Sequence, residues 1–256
     1  MEFDRERYQA LLTTGWLGRQ LEYHESVGST MDLARDWAQR PGANGIVVLA
    51  EEQTAGRGRR GRSFYSPAGE NLYFTLVIEA HPAILRSLPV VVPLAVVEAI
   101  GHLAPSAAIK WPNDIWIGER KCCGMLIDIH QVSGATYALL GIGINVNGDP
   151  SRQPDLAKIA TSIASATGRP QEREPLLAGV MNFLERLLGA DIQSVLGRYK
   201  ARSNTLGRDV AVRPAVGEAF EGMAVRITGS GALVVRKHNG IEVEVEAADV
   251  SVRPRA

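Results

Sequence analysis

The sequence predicts an α+β fold, in which a mixed sheet with packed helices is followed by a small all-β domain. Two observations support this prediction. Over roughly the first 205 residues, strand and helix patterns are interleaved, as is typical of helices that cover the faces of a sheet. From Leu206 onward the helical periodicity stops, and short strand patterns separated by glycine turns replace it. We therefore expect one domain at 1–205 and a second at 206–256.

The elements of the larger domain follow from local patterns. Its start has a short amphipathic segment and then a linker or strand near 21–23. Ser29 and Asp32 have the spacing of a capping box, which predicts a helix that runs from Ser29 to about Gln39. Further strands are predicted at 45–50, 72–78, 109–111, 115–117, 124–130 and 137–146, and further helices at 88–103, 155–167, 175–188 and 192–200.

The C-terminal segment consists of predicted strands at 210–213, 220–227, 233–236 and 242–246. In the last of these, glutamate and valine alternate strictly, so that one face is exposed to water and the other is buried. Gly229-Ser230-Gly231 and Asn239-Gly240 are turn signals between the strands. About 50 residues of this kind suit a small β-barrel.

Composition narrows the class of protein. The 28 basic and 28 acidic side chains balance, which argues against broad coating of nucleic acid and against binding to membrane surfaces. Adjacent Cys122 and Cys123 do not normally bridge each other and fit a reducing compartment. The N-terminus has no secretory signal, and the apolar stretch 88–100 is short and interrupted by Pro89 and Pro93. We expect a cytoplasmic protein without a membrane span.

The most concentrated feature is the arginine loop, Gly56-Arg57-Gly58-Arg59-Arg60-Gly61-Arg62. Glycine lets a backbone approach a ligand closely, and arginine grips carboxylates and phosphates with a planar fork. Gln53 stands just before the loop, and its amide is suited to an amide or ureido group. The loop indicates an anion clamp; a solvated surface loop or an RNA-binding patch remains an equal alternative on this feature alone.

Two further motifs carry polar or small residues in apolar surroundings. Lys110-Trp111-Pro112-Asn113-Asp114 forms a rigid corner, and Lys121 follows at the start of an apolar strand. Such a lysine can stabilise an oxygen that becomes negative, although a structural turn and an exposed lysine are the commoner cases. In the segment 141–147, alternating glycines indicate that a backbone or a flat ligand packs closely on the strand.

Taken together and in order, these motifs resemble the biotin protein ligase family. The resemblance covers about residues 20–205, and the β-rich tail is similar in type to the family's SH3-like C-terminal domain. The matching positions are Ser29, Thr30, Gln53, the segment 56–62, Ser66, Pro67, the segment 71–73, the segment 110–114, Lys121, Gly124 and the segment 141–145.

The resemblance implies a class II synthetase-like catalytic domain and an ATP-dependent ligase. Such an enzyme forms biotinyl-5′-AMP, with Mg²⁺ present, and transfers biotin to one lysine of a biotin carboxyl carrier protein. The implied catalytic residues are Lys121 and Arg57. The implied biotin-binding residues are Ser29, Thr30, Met31, Gln53, Arg57, Gly58, Arg59, Lys121, Gly124, Gly141 and Gly143. The implied ATP and adenylate residues are Gly56, Arg57, Arg59, Lys110, Trp111, Asn113, Asp114 and Asn145.

The resemblance also implies what the loop does and leaves some points open. The arginine loop is expected to close over the ligand as a lid, with Arg60 and Arg62 at its hinge or in solvent. Asp114 is a weak candidate to orient Mg²⁺, and no other metal ligand is indicated. Met31 replaces the usual asparagine, and Cys122 and Cys123 replace aliphatic or small residues, which we interpret as buried hydrophobic positions.

Other functions are kept as alternatives. Family members can carry an N-terminal DNA-binding domain of roughly 60 residues, and because only 28 residues precede Ser29 we expect no DNA binding. Lipoyl or octanoyl transfer on a related fold is the nearest rival enzyme, a nucleotide- or RNA-binding module is a second rival, and a bifunctional repressor is a third. Monomers and homodimers both occur in the family, and the sequence does not choose between them.

Overall fold

Two β-sheets organise the protein. The structure is a computed structural model and describes residues 2–58, 61, 63–132, 134–214, 217–246 and 248–252. The helices are α1 (Arg5–Leu11), α2 (Thr30–Trp37), α3 (Pro82–Gly101), α4 (Ile163–Thr167), α5 (Arg173–Leu188) and α6 (Ile192–Arg202). The strands are β1 (Leu21–Val27), β2 (Val47–Gln53), β3 (Leu72–Glu79), β4 (Ala107–Lys110), β5 (Asp114–Ile117), β6 (Arg120–Val132), β7 (Ala135–Ile144), β8 (Asp209–Pro214), β9 (Phe220–Ile227), β10 (Leu233–Lys237), β11 (Glu242–Val245) and β12 (Ala248–Val252).

The larger sheet has seven strands in the order β1-β2-β3-β7-β6-β5-β4. Only β1 and β2 pair in parallel, and the other neighbours are antiparallel. Strands β2 and β3 are buried along most of their length because helices cover both faces of the sheet there. Helix α2 packs on one face through Met31 and Ala34, and α3 and α5 pack on the other. The predicted mixed sheet with packed helices is confirmed.

Helix α3 is the central core helix. Eleven of its residues are buried, although Pro89 and Pro93 lie inside it. An internal proline costs about 3 kcal/mol, whereas each fully buried valine or leucine contributes about 1.5–3 kcal/mol, so burial outweighs both prolines. The expectation that the prolines interrupt this apolar stretch was therefore wrong, and the helix begins earlier than predicted.

The same helix is long and apolar enough, by length and composition alone, to cross a bilayer. Its most apolar window has a mean hydropathy of 1.9, and 61% of that window is buried inside the protein. Core helices of soluble proteins meet the same criterion, and this helix packs against β4, α5 and α6. The burial favours a core helix, although this apolar helix is longer than the stretch 88–100 identified from the sequence.

The second sheet is antiparallel, with five strands in the order β11-β10-β9-β8-β12. It forms a small C-terminal β domain, as predicted, and adds the strand β12 that the pattern did not indicate. It joins the larger unit at Trp111, whose indole Nε1 donates to Gly231 O at 2.8 Å. Thr205 Oγ1, at the end of the larger unit, accepts from the Trp111 N–H at 3.1 Å. A domain boundary near 205/206 fits this arrangement and stays a proposal.

Two local predictions were wrong. The capping box at Ser29 does not form: Ser29 makes no side-chain cap to α2, and Asp32 pairs with arginines instead. The helix predicted at 155–167 is reduced to α4. Its first part lies beside β6 instead, where Lys121 N donates to Ile159 O at 2.9 Å and Thr161 N donates to Lys121 O at 2.8 Å. Helical turns remain just before this point, where Ala157 N donates to Gln153 O at 3.0 Å and Ala160 N donates to Leu156 O at 2.9 Å, but they do not continue as a helix into α4.

Candidate active site

The register of the larger sheet brings small and polar residues onto one face. Gly143 lies opposite both Gly124 and Tyr73, and Asp114 lies opposite Gly124. One row away, Gly141 lies opposite Leu126 and Thr75. Because residues paired across strands share a face, the glycines form a shallow floor between larger side chains. A cavity of about 610 Å³ lies on this face.

Three side chains press directly on the glycine floor. A Cβ on Gly143 would stand 2.6 Å from the Phe64 ring, and one on Gly141 would stand 2.6 Å from Met31 Sδ. A Cβ on Gly124 would stand 2.8 Å from Lys121 Nζ and 3.3 Å from the Phe64 ring. Close packing on these glycines was predicted from a backbone or a flat ligand, and in this structure the close neighbours are side chains instead.

Neutral hydrogen-bonding groups gather at one end of the cavity. Gln53 Oε1 accepts from Thr30 N at 3.0 Å and from Thr30 Oγ1 at 3.1 Å. Gln53 Nε2 donates to Ser66 Oγ at 3.2 Å, and Thr30 Oγ1 lies 2.8 Å from Thr75 Oγ1. Ser29 Oγ is buried and has no hydrogen-bond partner among the described residues. An unpaired buried hydroxyl is costly and calls for an explanation, which a ligand at this end would supply.

The lysine of the motif is held at the cavity wall by a carboxylate. Lys121 Nζ lies 2.8 Å from Asp114 Oδ1, and the two side chains are 35% and 24% exposed. The hydrogen bonds of the Lys121 backbone to the segment 159–161 fix the start of β6. Lys121 is therefore a positioned charge that faces the cavity, and not a free surface lysine.

The described part of the arginine loop closes back on itself. Phe64 N donates to Gly56 O at 2.9 Å, and Arg57 and Ser63 form an isolated bridge. A Cβ on Gly56 would meet Phe64 O at 2.6 Å, so glycine is required there for packing. The Arg57 guanidinium forms an ion pair with Asp32, at the start of α2.

The corner at 110–114 serves both the cavity and the junction between the sheets. The Trp111–Pro112 peptide is cis, and Trp111 is 1% exposed. Lys110 Nζ donates to Val250 O at 2.6 Å, and Asn113 Nδ2 donates to Met125 O. The corner is thus a structural turn and a cavity wall at once.

All but two of the predicted site residues line the cavity. Gly56 packs behind the wall, and Arg59, like Arg60 and Arg62, lies outside the described residues. Asn145 lines the cavity, but its side chain donates to Thr161 O at 3.1 Å and its N–H donates to Cys122 O at 2.9 Å. Its observed contacts support the segment that holds Lys121.

The adjacent cysteines are inert wall residues. Both are fully buried, and burial raises the pKa of the Cys122 thiol to about 12 and that of Cys123 well above its ordinary value. Neutral thiols of this kind pack as small hydrophobic side chains. The interpretation of Cys122 and Cys123 as buried hydrophobic positions is confirmed.

Comparisons with known proteins agree with this arrangement. Residues 23–147 match the model of the biotin/lipoate A/B protein ligase family. A biotin–acetyl-CoA-carboxylase ligase of Paracoccus denitrificans is 35% identical over 82% of this chain and 92% of its own length. A Mycobacterium tuberculosis protein of the same name is 30% identical over 93% of this chain and 90% of its own length. The chain belongs to the biotin protein ligases.

A solved biotin protein ligase shares the whole architecture. The enzyme of Aquifex aeolicus, solved in complex with biotin and ATP, superposes with a TM-score of 0.77 at 26% identity, over 93% of this chain and 100% of that one. The α+β fold with its small C-terminal β domain is therefore the fold of a biotin protein ligase.

Sequence reasoning missed several wall residues of this biotin protein ligase. Phe64 covers the glycine floor, and Trp116 lies under Lys110 Nζ, which is 5.4 Å from the ring centre. Arg152 pairs with Glu70 at 3.0 Å on the cavity rim. Arg213 comes from the C-terminal sheet. Phe64 stands two residues after the arginine loop, and that position was the one available signal for it.

Proposed function

We propose that this chain activates biotin with ATP as biotinyl-5′-AMP and transfers the biotinyl group to a lysine of a biotin carboxyl carrier protein. One observation supports this most strongly: a single cavity holds neutral hydrogen-bonding groups at Gln53 and Thr30, a glycine floor, and the cations Lys121 and Arg57. These groups match a ureido ring, an apolar bicycle and an acyl phosphate, in that order.

The first step joins two anions. A carboxylate oxygen of biotin attacks the α-phosphorus of ATP, and the bond from that phosphorus to the bridging oxygen breaks as pyrophosphate leaves. Lys121 and Arg57 lower the repulsion between the reactants and stabilise the charge that develops on the phosphoryl oxygens. Neither residue forms a covalent bond, so the chemistry depends on positioning and charge.

The second step releases AMP. The neutral amine of the acceptor lysine attacks the acyl carbon of the anhydride, the bond from that carbon to the phosphate oxygen breaks, and AMP leaves with the electron pair. The acceptor is a lysine on a carrier domain of a carboxylase, in keeping with the names of the two relatives. Arg57 and the glycines of its loop hold the anhydride until the acceptor arrives, which is the lid function expected of this loop.

Recognition of biotin is assigned to the neutral end of the cavity. Ser29 Oγ, buried without a partner among the described residues, supplies a hydroxyl for the ureido group, and Thr30 and Gln53 lie beside it. The floor of Gly124, Gly141 and Gly143 takes the fused rings once the Phe64 and Met31 side chains that cover it in this structure turn aside. Rings of this size need such a floor because a larger side chain would fill the space.

The nucleotide is assigned to the end of the cavity near the 110–114 corner. Lys110, Trp111, Asn113 and Asp114 line that end, and Gly58 and Asn145 line other parts of the same wall. Gly56 and Arg59 belong to the same clamp by their place in the arginine loop. Mg²⁺ would lie at this end of the cavity, beside the phosphates of ATP, because Mg²⁺ is commonly held by one or two carboxylates together with substrate phosphates.

Asp114 is the residue that would hold Mg²⁺, and the ion would supply charge neutralisation of the phosphates. Among the described residues no group of three or more histidine, cysteine, aspartate or glutamate side chains could form a complete protein cage. A single carboxylate together with ATP oxygens agrees with that finding. The absence of DNA binding, the absence of membrane binding, a cytoplasmic location and a homodimer or monomer remain predictions.

The test is a reaction without any acceptor. The full chain is incubated with ATP, labelled biotin and Mg²⁺, and pyrophosphate is measured together with label that stays with the protein after rapid gel filtration. We expect about one pyrophosphate per chain and retained biotinyl-5′-AMP. Lipoate or octanoate in place of biotin should give neither. Activation of lipoate or octanoate without activation of biotin would reject the proposal.

A further inference from the structure

We infer that Asp32 sets how long the activated intermediate is retained, because it competes with the ligand for Arg57. The inference rests on the proposed function. Arg57 lines the cavity, and its guanidinium is paired with the Asp32 carboxylate. Asp32 itself lies outside the cavity lining. Its effect on a bound anion therefore passes through Arg57.

The position of Asp32 is fixed by contacts that do not involve the cavity. Asp32 lies in the first turn of α2, and Arg35, one turn later, approaches its carboxylate at 3.3 Å. Arg35 also pairs with Asp128 on β6 at 2.9 Å. Asp32 is thus part of a chain of alternating charges along the outside of α2. The competing carboxylate stays in place when Arg57 turns to a ligand.

Lys121, the other cation with a proposed catalytic role, shows why this pairing matters. Lys121 is paired with Asp114, and Asp114 itself lines the cavity, where it can contact a ligand or a metal. Asp32 has no such second role in the cavity. To bind a phosphate or an acyl phosphate, Arg57 has to leave one carboxylate for another anion, so the Asp32 pair opposes the grip of the arginine loop.

The size of the effect follows from the exposure of the pair. The Arg57 and Asp32 side chains are 45% and 48% exposed, and ion pairs this accessible to water are weak. Removal of the competitor should therefore slow release of biotinyl-5′-AMP by about two- to five-fold. A role of Asp32 in preorganising Arg57 for the ligand would give the opposite sign, so direction alone separates the two accounts.

The experiment measures retention of biotinyl-5′-AMP in the full chain. Each variant is loaded with labelled biotin, ATP and Mg²⁺, freed of small molecules, and sampled over time without acceptor at fixed ionic strength. Asp32→Asn should retain the label about two- to five-fold longer than wild type, and Asp32→Glu should behave like wild type. Asp36→Asn is the matched control, because it removes the same charge from an exposed position one turn along α2.

Two further variants test the route through Arg57. Asp32→Asn in an Arg57→Ala background should change nothing relative to Arg57→Ala alone, because the group that connects Asp32 to the ligand is gone. Arg35→Gln should shorten retention, since it removes the second cation at the Asp32 carboxylate and so strengthens the pairing of Asp32 with Arg57. Arg35→Gln also keeps the inference testable if Asp32→Asn does not fold.

Steady-state kinetics separate this role from a structural one. Asp32→Asn should lower KM for biotin in ATP–pyrophosphate exchange and leave its maximal rate unchanged, whereas damage to the fold would lower the maximal rate. If wild type retains biotinyl-5′-AMP normally but Asp32→Asn releases it equally fast or faster, the inference fails and the proposed function stands. If wild type forms no biotinyl-5′-AMP, the proposed function and the inference both fail.

Discussion

At the scale of single residues, charge pairing holds the cations of the cavity in place. The described cations with predicted catalytic roles, Lys121 and Arg57, each have a carboxylate beside them, Asp114 and Asp32. Lys121 and Asp114 are partly buried, where an unpaired charge is costly, whereas the Arg57–Asp32 pair is exposed and weak. The motifs identified both cations, but the sequence did not indicate that Asp32 pairs with Arg57, because that contact depends on how the loop folds against α2.

Lys121→Ala should lower the rate of biotinyl-5′-AMP formation by about 10²–10³-fold, the usual cost of removing one group that stabilises developing charge. It also leaves Asp114 alone in the cavity, where its charge repels the anionic reactants. The additional change Asp114→Asn should therefore recover part of the loss. The measurement is ATP–pyrophosphate exchange, and the exposed Lys158→Ala serves as the control. A normal rate in Lys121→Ala would remove Lys121 from the mechanism.

The two cysteines should be unreactive in the folded chain. Because burial raises the pKa of both thiols, almost no thiolate is present at pH 8. Iodoacetamide at that pH should modify neither Cys122 nor Cys123 within an hour, and both should react after denaturation. Mass spectrometry of the intact chain gives the count. Rapid modification of the folded chain would contradict the structure around the start of β6.

At the scale of elements, periodicity predicted the long strands and helices well. It failed for segments whose structure depends on contacts with distant parts of the chain. The strand predicted at 220–227 matches β9 to the residue. The segment 155–161 was wrongly predicted as helix, since its pairing with Lys121 lies far away in sequence. Likewise, Phe64 and Met31 meet the glycines only once the sheet brings distant strands and loops together.

One carboxylate ties the N-terminal segment to α5 and makes the stability of the fold depend on pH. Glu185 accepts hydrogen bonds from the N–H groups of Gly15, Trp16 and Leu17, at 2.6, 3.1 and 2.9 Å. Partial burial raises the pKa of this carboxyl, but the three backbone hydrogen bonds together lower it by a larger amount. The pKa therefore lies below its ordinary value of 4.5. A carboxylate of this kind stabilises the fold above pH 4.5 and loses its effect as the pH falls through the lowered pKa.

Glu185→Gln should therefore reduce the free energy of unfolding by about 1 kcal/mol at pH 7, because an amide cannot accept all three hydrogen bonds. The difference from wild type should be constant above pH 4.5 and shrink as the pH falls below it. Urea denaturation at several pH values measures this, with the exposed Glu119→Gln as control. A difference in the free energy of unfolding that grows towards low pH would show that folding raises the pKa of Glu185 and does not lower it.

At the scale of the whole molecule, the two sheets meet at the 110–114 corner, which also forms part of the cavity. Trp111 and Lys110 bond to Gly231 and Val250, and Arg213 of the second sheet lines the same cavity. The sequence predicted both units from their patterns. It could not predict that the corner joins them, because the partners lie more than a hundred residues apart.

Trp111→Phe tests this junction. The change removes the indole donor to Gly231 O and keeps an aromatic ring, so the free energy of unfolding should fall by about 1 kcal/mol. Because the junction borders the proposed nucleotide end, KM for ATP should rise while KM for biotin stays the same. The control is Trp16→Phe, at a position that is 39% exposed. A raised KM for biotin with an unchanged KM for ATP would place the nucleotide elsewhere.

The central claim is that one cavity activates biotin and delivers it to a carrier lysine. The most direct measurement is mass spectrometry of a biotin carboxyl carrier domain after incubation with the full chain, ATP, Mg²⁺ and biotin. The account predicts a gain of one biotinyl group on a single lysine, which requires ATP and is lost in the carrier domain when that lysine is replaced by arginine. A carrier that stays unmodified while biotin and ATP are present, or that is modified only when lipoate or octanoate replaces biotin, would contradict the account.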